Sequence, residues 1–320
     1  MGKPKMAANG CVETETNLAK VQEKHFVRQI ARIQRPYTLI ILPAIIITIL
    51  FLIPFFWGIG LSFTNYRLNL PVAKMNWGRT YAVLLSTLSF WKAALRTLQF
   101  TLFAVSVELL LGFGIAFLLS TETFMAKVLR RIIVFPLMIA PIIGTIMLKL
   151  MMNNKFGVIN YLLSFVGGKD FPWGASPNLS MFTVIIVDVW IFTPFMIVII
   201  LAGLRALPRE PYEAAIVDGS KGFDTMLNIT LPMVMPTVLI ALIFRVIDSI
   251  KVFDVIWGMT GGGPGDSTTV FSILGYIFTF GSLDVAKGTA IMLLVWVGIM
   301  FLGNKLVAYW QSSRARLGDT

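Results

Sequence analysis

Long uninterrupted apolar stretches dominate the chain, and short polar segments between them carry most of its charges. Six of the stretches are long enough to cross the ~30 Å hydrocarbon core of a bilayer, which requires about 20 helical residues. Their apolar positions are continuous, whereas the strands of a membrane barrel alternate. The predicted spans are residues 37–63, 97–120, 132–152, 181–204, 231–256 and 288–310. The pattern therefore predicts an all-α membrane protein with six transmembrane helices.

Composition supports one membrane domain. The chain has 320 residues, of which 57% are hydrophobic and 13% charged. A soluble domain has roughly 25% charged residues, so half that content indicates an integral membrane protein. We divide the chain into an N-terminal tail (1–36), a six-span membrane domain (37–310) and a C-terminal tail (311–320). No short apolar segment with a cleavage site precedes the first span, so we expect no removable signal peptide.

The distribution of Lys and Arg predicts the orientation in the membrane. Six spans place both termini on one side. Residues 1–36, the loops 121–131 and 205–230 and residues 305–320 contain sixteen Lys and Arg residues, against eight in the loops of the opposite side. Because cytoplasmic loops are enriched in these residues, we expect both termini in the cytoplasm. The net charge of +11 is therefore interpreted as a topology signal, and no nucleic-acid partner is predicted.

The N-terminal tail contains a basic segment with a helical period. In residues 22–35, Phe26, Ile30 and Ile33 recur at i, i+4 and i+7, and the basic side chains fall elsewhere. This spacing is typical of an amphipathic helix that lies on the inner membrane surface in contact with lipid. A short solvated or packed helix without a lipid role fits the same spacing, and both interpretations stay open.

The loop 205–230 has the residues of a short helix that ends in a sharp turn. Pro211 suits the first helical turn, where its missing N–H has no cost, and Glu213 complements the positive end of the helix. Gly219 permits the left-handed conformation that ends a helix. A second short helix is expected from about 221 to 229, before Leu231-Pro232 directs the chain into the membrane. The loop thus predicts two short surface helices, either bare or in contact with a partner.

The spacing of this loop resembles the EAA signature of ATP-binding-cassette importer permeases. The residues that carry the resemblance are Glu213, Ala214, Ala215, Asp218, Gly219, Phe223, Ile229, Leu231 and Pro232. In that family the loop forms a coupling helix, which docks into a groove on a cytoplasmic ATPase subunit. The resemblance therefore implies a permease that is not itself an enzyme and has two ATPase subunits as partners.

Further motifs are similar to the carbohydrate-importer branch, the MalF-like permeases with the type I importer fold. They are Leu61–Tyr66, Phe156-Gly157 with Asn160-Tyr161, and Phe253-Asp254 with Thr260–Pro264. This resemblance implies a second related permease subunit, an extracytoplasmic solute-binding protein, a carbohydrate solute and a bacterial inner-membrane location. The chain lacks the two extra N-terminal spans and the large insert of the maltose member, so maltose specificity is not carried over. An acidic oligosaccharide such as alginate and a neutral sugar are both allowed.

The glycine-rich segment 261–269 fails the requirements of a phosphate loop. A phosphate loop ends in Gly-Lys-Ser/Thr, but Asp266 occupies the Lys position and would repel phosphate. We therefore expect no cofactor on this chain, with ATP and Mg bound by the ATPase partner. The resemblance implies a flexible outer loop that contacts the solute-binding protein through Gly261, Gly262, Gly263 and Pro264; a simple connector is the alternative.

Ionisable residues at membrane depth are costly and usually face protein or water. Those predicted at that depth are Glu108, Lys149, Asp188, Arg245 and Asp248. Arg245, Asp248, Lys251 and Asp254 recur every three residues, which predicts either a structural salt ladder or a wall of the solute cavity. Asp188 and Trp190 are candidate sugar contacts, although Trp190 also suits simple aromatic packing.

Other functional classes are weakly supported. One His and one Cys exclude a Cys/His or multi-His metal site within the chain. The sequence also shows no recognisable nucleophile–base set, so an intramembrane enzyme is disfavoured. A self-contained channel or secondary carrier is a rival, but the two halves show no internal repeat. An importer of another small solute, such as glycerol phosphate or a polyamine, is the nearest alternative.

Overall fold

A computed structural model describes residues 41–70, 72–165, 167 and 171–316, with side chains up to residue 314. The described residues are helical or irregular, apart from one isolated antiparallel bridge between Thr64 and Met75. The amphipathic helix predicted at 22–35 lies outside them. The chain divides into two units, Met1–Gly60 and Leu61–Thr320, and each is described by itself.

The first helix, α1, is Ile41–Ser62, with a mean hydropathy of 2.5. Twelve further α-helices follow in the described residues. They are α2 (Arg79–Ser86), α3 (Leu88–Leu119), α4 (Phe124–Ile132), α5 (Pro141–Met151), α6 (Val158–Ser164), α7 (Pro177–Arg205), α8 (Glu210–Val217), α9 (Gly222–Thr225), α10 (Leu231–Ile250), α11 (Asp254–Met259), α12 (Phe271–Tyr276) and α13 (Val285–Arg316). A 3₁₀-helix at Phe135–Met138 follows α4, and π-helical turns at Met226–Thr230 and Ile277–Gly281 follow α9 and α12.

The prediction of an all-α membrane protein is confirmed. Five helical segments are long and apolar enough to cross a membrane: Ile41–Ser62, Leu88–Leu119, Pro177–Arg205, Gly222–Ile250 and Val285–Arg314. A bent pair, Phe124–Met138 with Pro141–Met151, brings the number to six if it is counted as one span. Five predicted spans thus correspond to one long helix each, with shifted ends.

The third predicted span, 132–152, is wrong as a single straight helix. The chain bends by 99° between Met138 and Pro141. Proline disfavours the helical conformation of the residue before it, and Ala140, with ψ 134°, is extended. Pro141 then occupies the first turn of α5, where its missing N–H is no loss.

The fifth predicted span, 231–256, is wrong at both ends. Leu231-Pro232 does not redirect the chain, because one helical segment runs from Gly222 to Ile250. Pro232 has no N–H to donate to the carbonyl four residues back, and the π-turn just before it instead places the N–H of Leu231 on the carbonyl of Met226. At the other end α10 stops at Ile250, so Asp254 belongs to a separate short helix.

Small residues allow α3, α7 and α10 to approach closely. An added Cβ at Gly112 of α3 would lie 2.5 Å from Cβ of Met196 on α7. At Gly203 of α7 it would lie 2.7 Å from Cβ of Thr237 on α10. Such contacts require a residue without a side chain, as is common where membrane helices pack. These three helices form the centre of the larger unit.

The predicted orientation can be tested with single cysteines, since Cys11 is the one cysteine of the sequence. In a Cys11→Ser background, Ser220→Cys should react with an impermeant maleimide only after the cytoplasmic membrane is permeabilised. Ser282→Cys, also exposed but on the predicted outer side, should react in intact cells. The reverse pattern would refute the orientation.

Candidate functional site

The helix α8 ends in the turn that the sequence predicts. Gly219 has φ +71°, the left-handed region in which a side chain is disfavoured. The N–H of Ser220 donates to the carbonyl of Ala215 at 2.9 Å, and that of Gly219 donates to Ile216 at 3.1 Å. This pair of bonds is a Schellman motif, which satisfies the last carbonyls of the helix. The turn is therefore a defined structure.

The EAA residues separate into exposed and inward-facing groups. The exposed members are Glu213, Ala214, Asp218, Gly219, Phe223 and Pro232, while Ala215 is buried and Ile229 and Leu231 are half-buried. The expectation of a thin surface made by both alanines therefore holds for Ala214 alone. Within the loop 205–230, the most exposed large apolar side chains are Ile216, at 76%, and Val217, at 87%. Sequence reasoning missed these two, although both follow the alanine pair directly.

The helix α8 is joined to the base of α10. The Tyr212 hydroxyl donates to Oγ1 of Thr230 at 3.1 Å, and the hydroxyls of Ser220 and Thr225 lie 3.0 Å apart. Because the helical segment from Gly222 to Ile250 is unbroken, a displacement of α8 can be transmitted along α10.

A buried ion cluster connects the same helix to two others. Arg245 of α10 donates from Nε and Nη2 to the two carboxylate oxygens of Glu108 on α3, at 2.6 and 2.9 Å. Its Nη2 also donates to Asp188 of α7. The Arg245 side chain is 1% exposed and both carboxylates are fully buried. The bidentate geometry is the arrangement in which a guanidinium binds a carboxylate most strongly.

The cluster has further partners at its edges. The guanidinium of Arg245 lies 4.1 Å from the ring centroid of Phe192, a distance at which a cation is attracted to an aromatic face. Its Nη1 is 3.4 Å from Asp248, and Asp248 is 3.6 Å from Nζ of Lys251. Among the described residues, Oδ1 of Asp188 has no hydrogen-bond partner.

These contacts give the predicted pathway residues distinct environments. Arg245 and Asp188 are engaged in the buried cluster, in agreement with a structural ion network. Asp248 and Trp190 are partly exposed, and Asp254 is exposed on α11. The ladder of four residues ends at Lys251, because Asp254 lies beyond the end of α10. The sequence placed Glu108 at membrane depth. It could not show that Glu108 pairs with Arg245, which is 137 positions away.

The outer glycine-rich segment is folded on itself. Oγ1 of Thr269 donates to the carbonyl of Gly262 at 3.0 Å, and Oγ1 of Thr268 donates to that of Gly263 at 3.1 Å. Asp266 lies 3.2 Å from Arg96 and 3.8 Å from Lys92. The hydrogen bond from Arg96 holds the pKa of the Asp266 carboxyl below its usual value. The segment is thus a hydrogen-bonded loop, and the flexibility expected from the sequence stays a prediction.

No group of three or more His, Cys, Asp or Glu side chains that could hold a metal ion occurs in the part of the chain that the structure describes. The site therefore consists of a surface helix, an unbroken membrane helix and a buried ion cluster. Such an arrangement can transmit displacement across a membrane domain.

The fold defines the class of protein. The structure superimposes with a TM-score of 0.74 on a chain of a bacterial ABC transporter involved in the import of the acidic polysaccharide alginate. The match covers 89% of this chain and 99% of that one, at 22% sequence identity. A second structure of a bacterial alginate transporter, in complex with a pentasaccharide-bound periplasmic protein, gives a TM-score of 0.70. The chain has the fold of a type I importer permease.

The family follows from the sequence comparisons. Residues 108–314 match the family described as binding-protein-dependent transport system inner membrane component, and the chain belongs to it. It is 36% identical over 263 residues to the trehalose/maltose transport system permease protein MalF of Thermococcus litoralis. The match covers 82% of this chain and 89% of that protein. The sulfoquinovosyl glycerol permease protein SmoG of Agrobacterium fabrum is 33% identical over 65% of this chain and 67% of its own length. The resemblance to importer permeases is confirmed, and the protein is a multi-pass membrane protein.

Replacing Arg245 should test the buried cluster. Arg245→Met leaves two carboxylates buried without their cation, a defect that costs about 3–5 kcal/mol. Lys251→Met is the matched control, because this side chain is 60% exposed and its ion pair should contribute less than about 1 kcal/mol. Thermal unfolding of the purified protein in detergent measures both variants. Equal losses would contradict a structural role of the cluster.

Proposed function

We propose that this chain is one permease subunit of an ATP-driven, binding-protein-dependent carbohydrate importer in the cytoplasmic (inner) membrane. The observation that carries the proposal is α8, a short helix that is closed by a left-handed glycine and presents Ile216 and Val217 to the surroundings. Exposed apolar side chains of this size are typical of a binding surface. The family membership supports a transport role for that surface, and the proposed energy source is a separate subunit.

The proposed partners follow from the resemblance and the named relatives. We expect two ATPase subunits on the cytoplasmic side, where α8 docks, and a second related permease beside this one. ATP and Mg belong to the ATPase subunits, and the chain itself requires no cofactor. A solute-binding protein docks on the outer side, with Gly261, Gly262, Gly263 and Pro264 among its candidate contacts. The similar structures, both from bacterial alginate ABC transporters and one with a periplasmic protein bound, support this composition.

The proposed mechanism is alternating access. Closure of the ATPase dimer on ATP moves α8, and the rigid segment Gly222–Ile250 carries the displacement towards the outer side. The ion cluster then moves α3 and α7 together with α10, so that the cavity opens outward. Hydrolysis of ATP returns the domain to the inward-facing state. An external partner thus biases a two-state element, as conformational coupling requires.

The solute is proposed to be a sugar or an oligosaccharide. Relatives are named for trehalose/maltose and for sulfoquinovosyl glycerol, and the similar structures are named for alginate. These names include neutral and acidic carbohydrates. Because Arg245 is neutralised by two carboxylates, the buried cation gives no preference for an acidic solute.

The turn at Gly219 should be essential for coupling. Gly219→Val places a β-branched residue at a positive φ, at a cost of about 1–2 kcal/mol in that conformation. Gly222→Val is the matched control, because it also has open space around its Cα but an ordinary φ. In proteoliposomes that contain the complete transporter, Gly219→Val should reduce solute imported per ATP hydrolysed, and Gly222→Val should not. Unchanged coupling in Gly219→Val would remove this turn from the mechanism.

The exposed apolar end of α8 should bind the ATPase. Val217→Asp introduces a carboxylate into the proposed contact, where an unpaired charge would be desolvated. Co-purification of the ATPase subunits with the permease should fall by at least about tenfold, which corresponds to roughly 1.4 kcal/mol. Val72→Asp, an equivalent change at an exposed valine of the predicted outer side, should leave co-purification intact. If both variants retain the ATPase equally, another surface makes the contact.

A further inference from the structure

The short helix α11, which follows the ion cluster, is fixed on one side and open on the other. Val255, Ile256 and Met259 are buried in the core. Asp254 and Trp257, which are three residues apart and so share a face, are exposed. One face of α11 is therefore packed in the core, and the opposite face is exposed.

The helix α11 is also in close contact with α5. Nζ of Lys149 donates to the carbonyl of Gly258 at 2.9 Å. A Cβ added at Gly258 would lie 2.9 Å from Cδ1 of Ile142, so a side chain there would require Ile142 to move. Binding sites on such rigid elements lose little conformational entropy when a ligand binds.

Four neighbouring rings form what we call the aromatic wall: Phe253, Trp257, Tyr276 and Phe280. Phe253 and Trp257 are nearly parallel, with an angle of 13° and centroids 5.7 Å apart. Tyr276 lies 4.5 Å from Trp257 and 5.0 Å from Phe280. Trp257 is 38% and Phe280 61% exposed. The wall therefore offers free aromatic surface.

Polar groups at the aromatic wall are available to a ligand. Neither the indole N–H of Trp257 nor the hydroxyl of Tyr276 forms a hydrogen bond with the described residues. Asp254 forms no ion pair with the described residues and is exposed one helical turn before Trp257. Asp248 and Lys251, at the end of α10, are partly exposed but pair with each other at 3.6 Å. Donors and acceptors thus border the rings.

This combination suits a sugar better than a lipid. A pyranose ring has an apolar C–H face, which packs on an aromatic ring, and hydroxyls, which donate to carboxylates and accept from N–H or O–H groups. Acyl chains have no hydrogen-bonding groups, so Asp254, Trp257 and Tyr276 would gain no hydrogen bonds from them. Asp188 and Arg245 are already engaged in the buried cluster, so the polar groups at the aromatic wall are the ones left for a hydroxylated solute.

We infer that the aromatic wall binds a pyranose ring of the transported carbohydrate by stacking on Trp257, with Asp254 as the acceptor for its hydroxyls. The inference rests on the proposed carbohydrate transport. Under the predicted orientation the wall lies towards the outer side, beyond the end of α10, where the solute arrives from the binding protein.

The test uses the complete permease–ATPase complex in nanodiscs without the binding protein. Radiolabelled maltose, trehalose and an alginate trisaccharide serve as probes in an equilibrium binding assay, and ATP-dependent uptake is measured separately in proteoliposomes with the binding protein. For the sugar that is transported, Trp257→Leu should raise the Kd about fivefold to tenfold. Trp257→Phe, which keeps an aromatic face, should stay within about twofold. Trp91→Leu, an exposed tryptophan outside the wall, should bind as the unmodified complex does.

The outcomes separate the two proposals. If no probe is taken up by the unmodified complex, both the carbohydrate function and the aromatic wall site are overturned. If uptake is normal but no probe binds to the nanodisc complex, or if Trp257→Leu binds as tightly as the unmodified complex, only the site is overturned. Loss of the second permease subunit from Trp257→Leu during purification would identify the wall as a subunit interface and likewise refute the sugar site.

Discussion

A guanidinium buried in a membrane domain has to be met by carboxylates, and the arrangement of the central helices follows from this constraint. Arg245 is 1% exposed, and the cost of an unpaired charge at that depth is several kcal/mol. Glu108 and Asp188 come from two other helices, so the requirement can be met only when α3, α7 and α10 lie side by side. The close contacts at Gly112 and Gly203 allow that approach.

The same cluster gives the proposed transport mechanism a mechanical basis. A buried ion pair is weak evidence for stability, because desolvation offsets most of the Coulombic gain. It is better evidence for a specific arrangement, since Arg245 reaches carboxylates on both other helices in this alignment. The helical segment Gly222–Ile250 begins close after α8 and includes Arg245, so one helix connects the loop to the ion cluster. Transport can thus be driven from a loop that contains no catalytic group.

Parts of the fold were predictable because local residue types specify them. The glycine at 219 requires a left-handed turn regardless of its surroundings, and the structure has φ +71° there. Pro141 marks the start of a helix for the same kind of reason. Other features depended on competition between local signals. Pro232 was expected to change the direction of the chain. The π-turn before it keeps the backbone hydrogen-bonded, with the N–H of Leu231 on the carbonyl of Met226, and the helix continues. Pro136 and Pro141 allow a kink in the third span, but hydropathy gives neither the place nor the size of the bend.

The sequence by itself determined the membrane class, the approximate positions of the spans and the short helix that ends at Gly219, because apolar length and fixed local spacing are properties of the chain alone. It also identified Glu108, Asp188 and Arg245 as charges at membrane depth. Only the tertiary structure decided that these three form one cluster, that Ile216 and Val217 are the exposed end of α8, and that Trp257 and Tyr276 lie side by side. The physical reason is distance along the chain: Glu108 and Arg245 are 137 residues apart, and no local pattern encodes which buried charge will meet which.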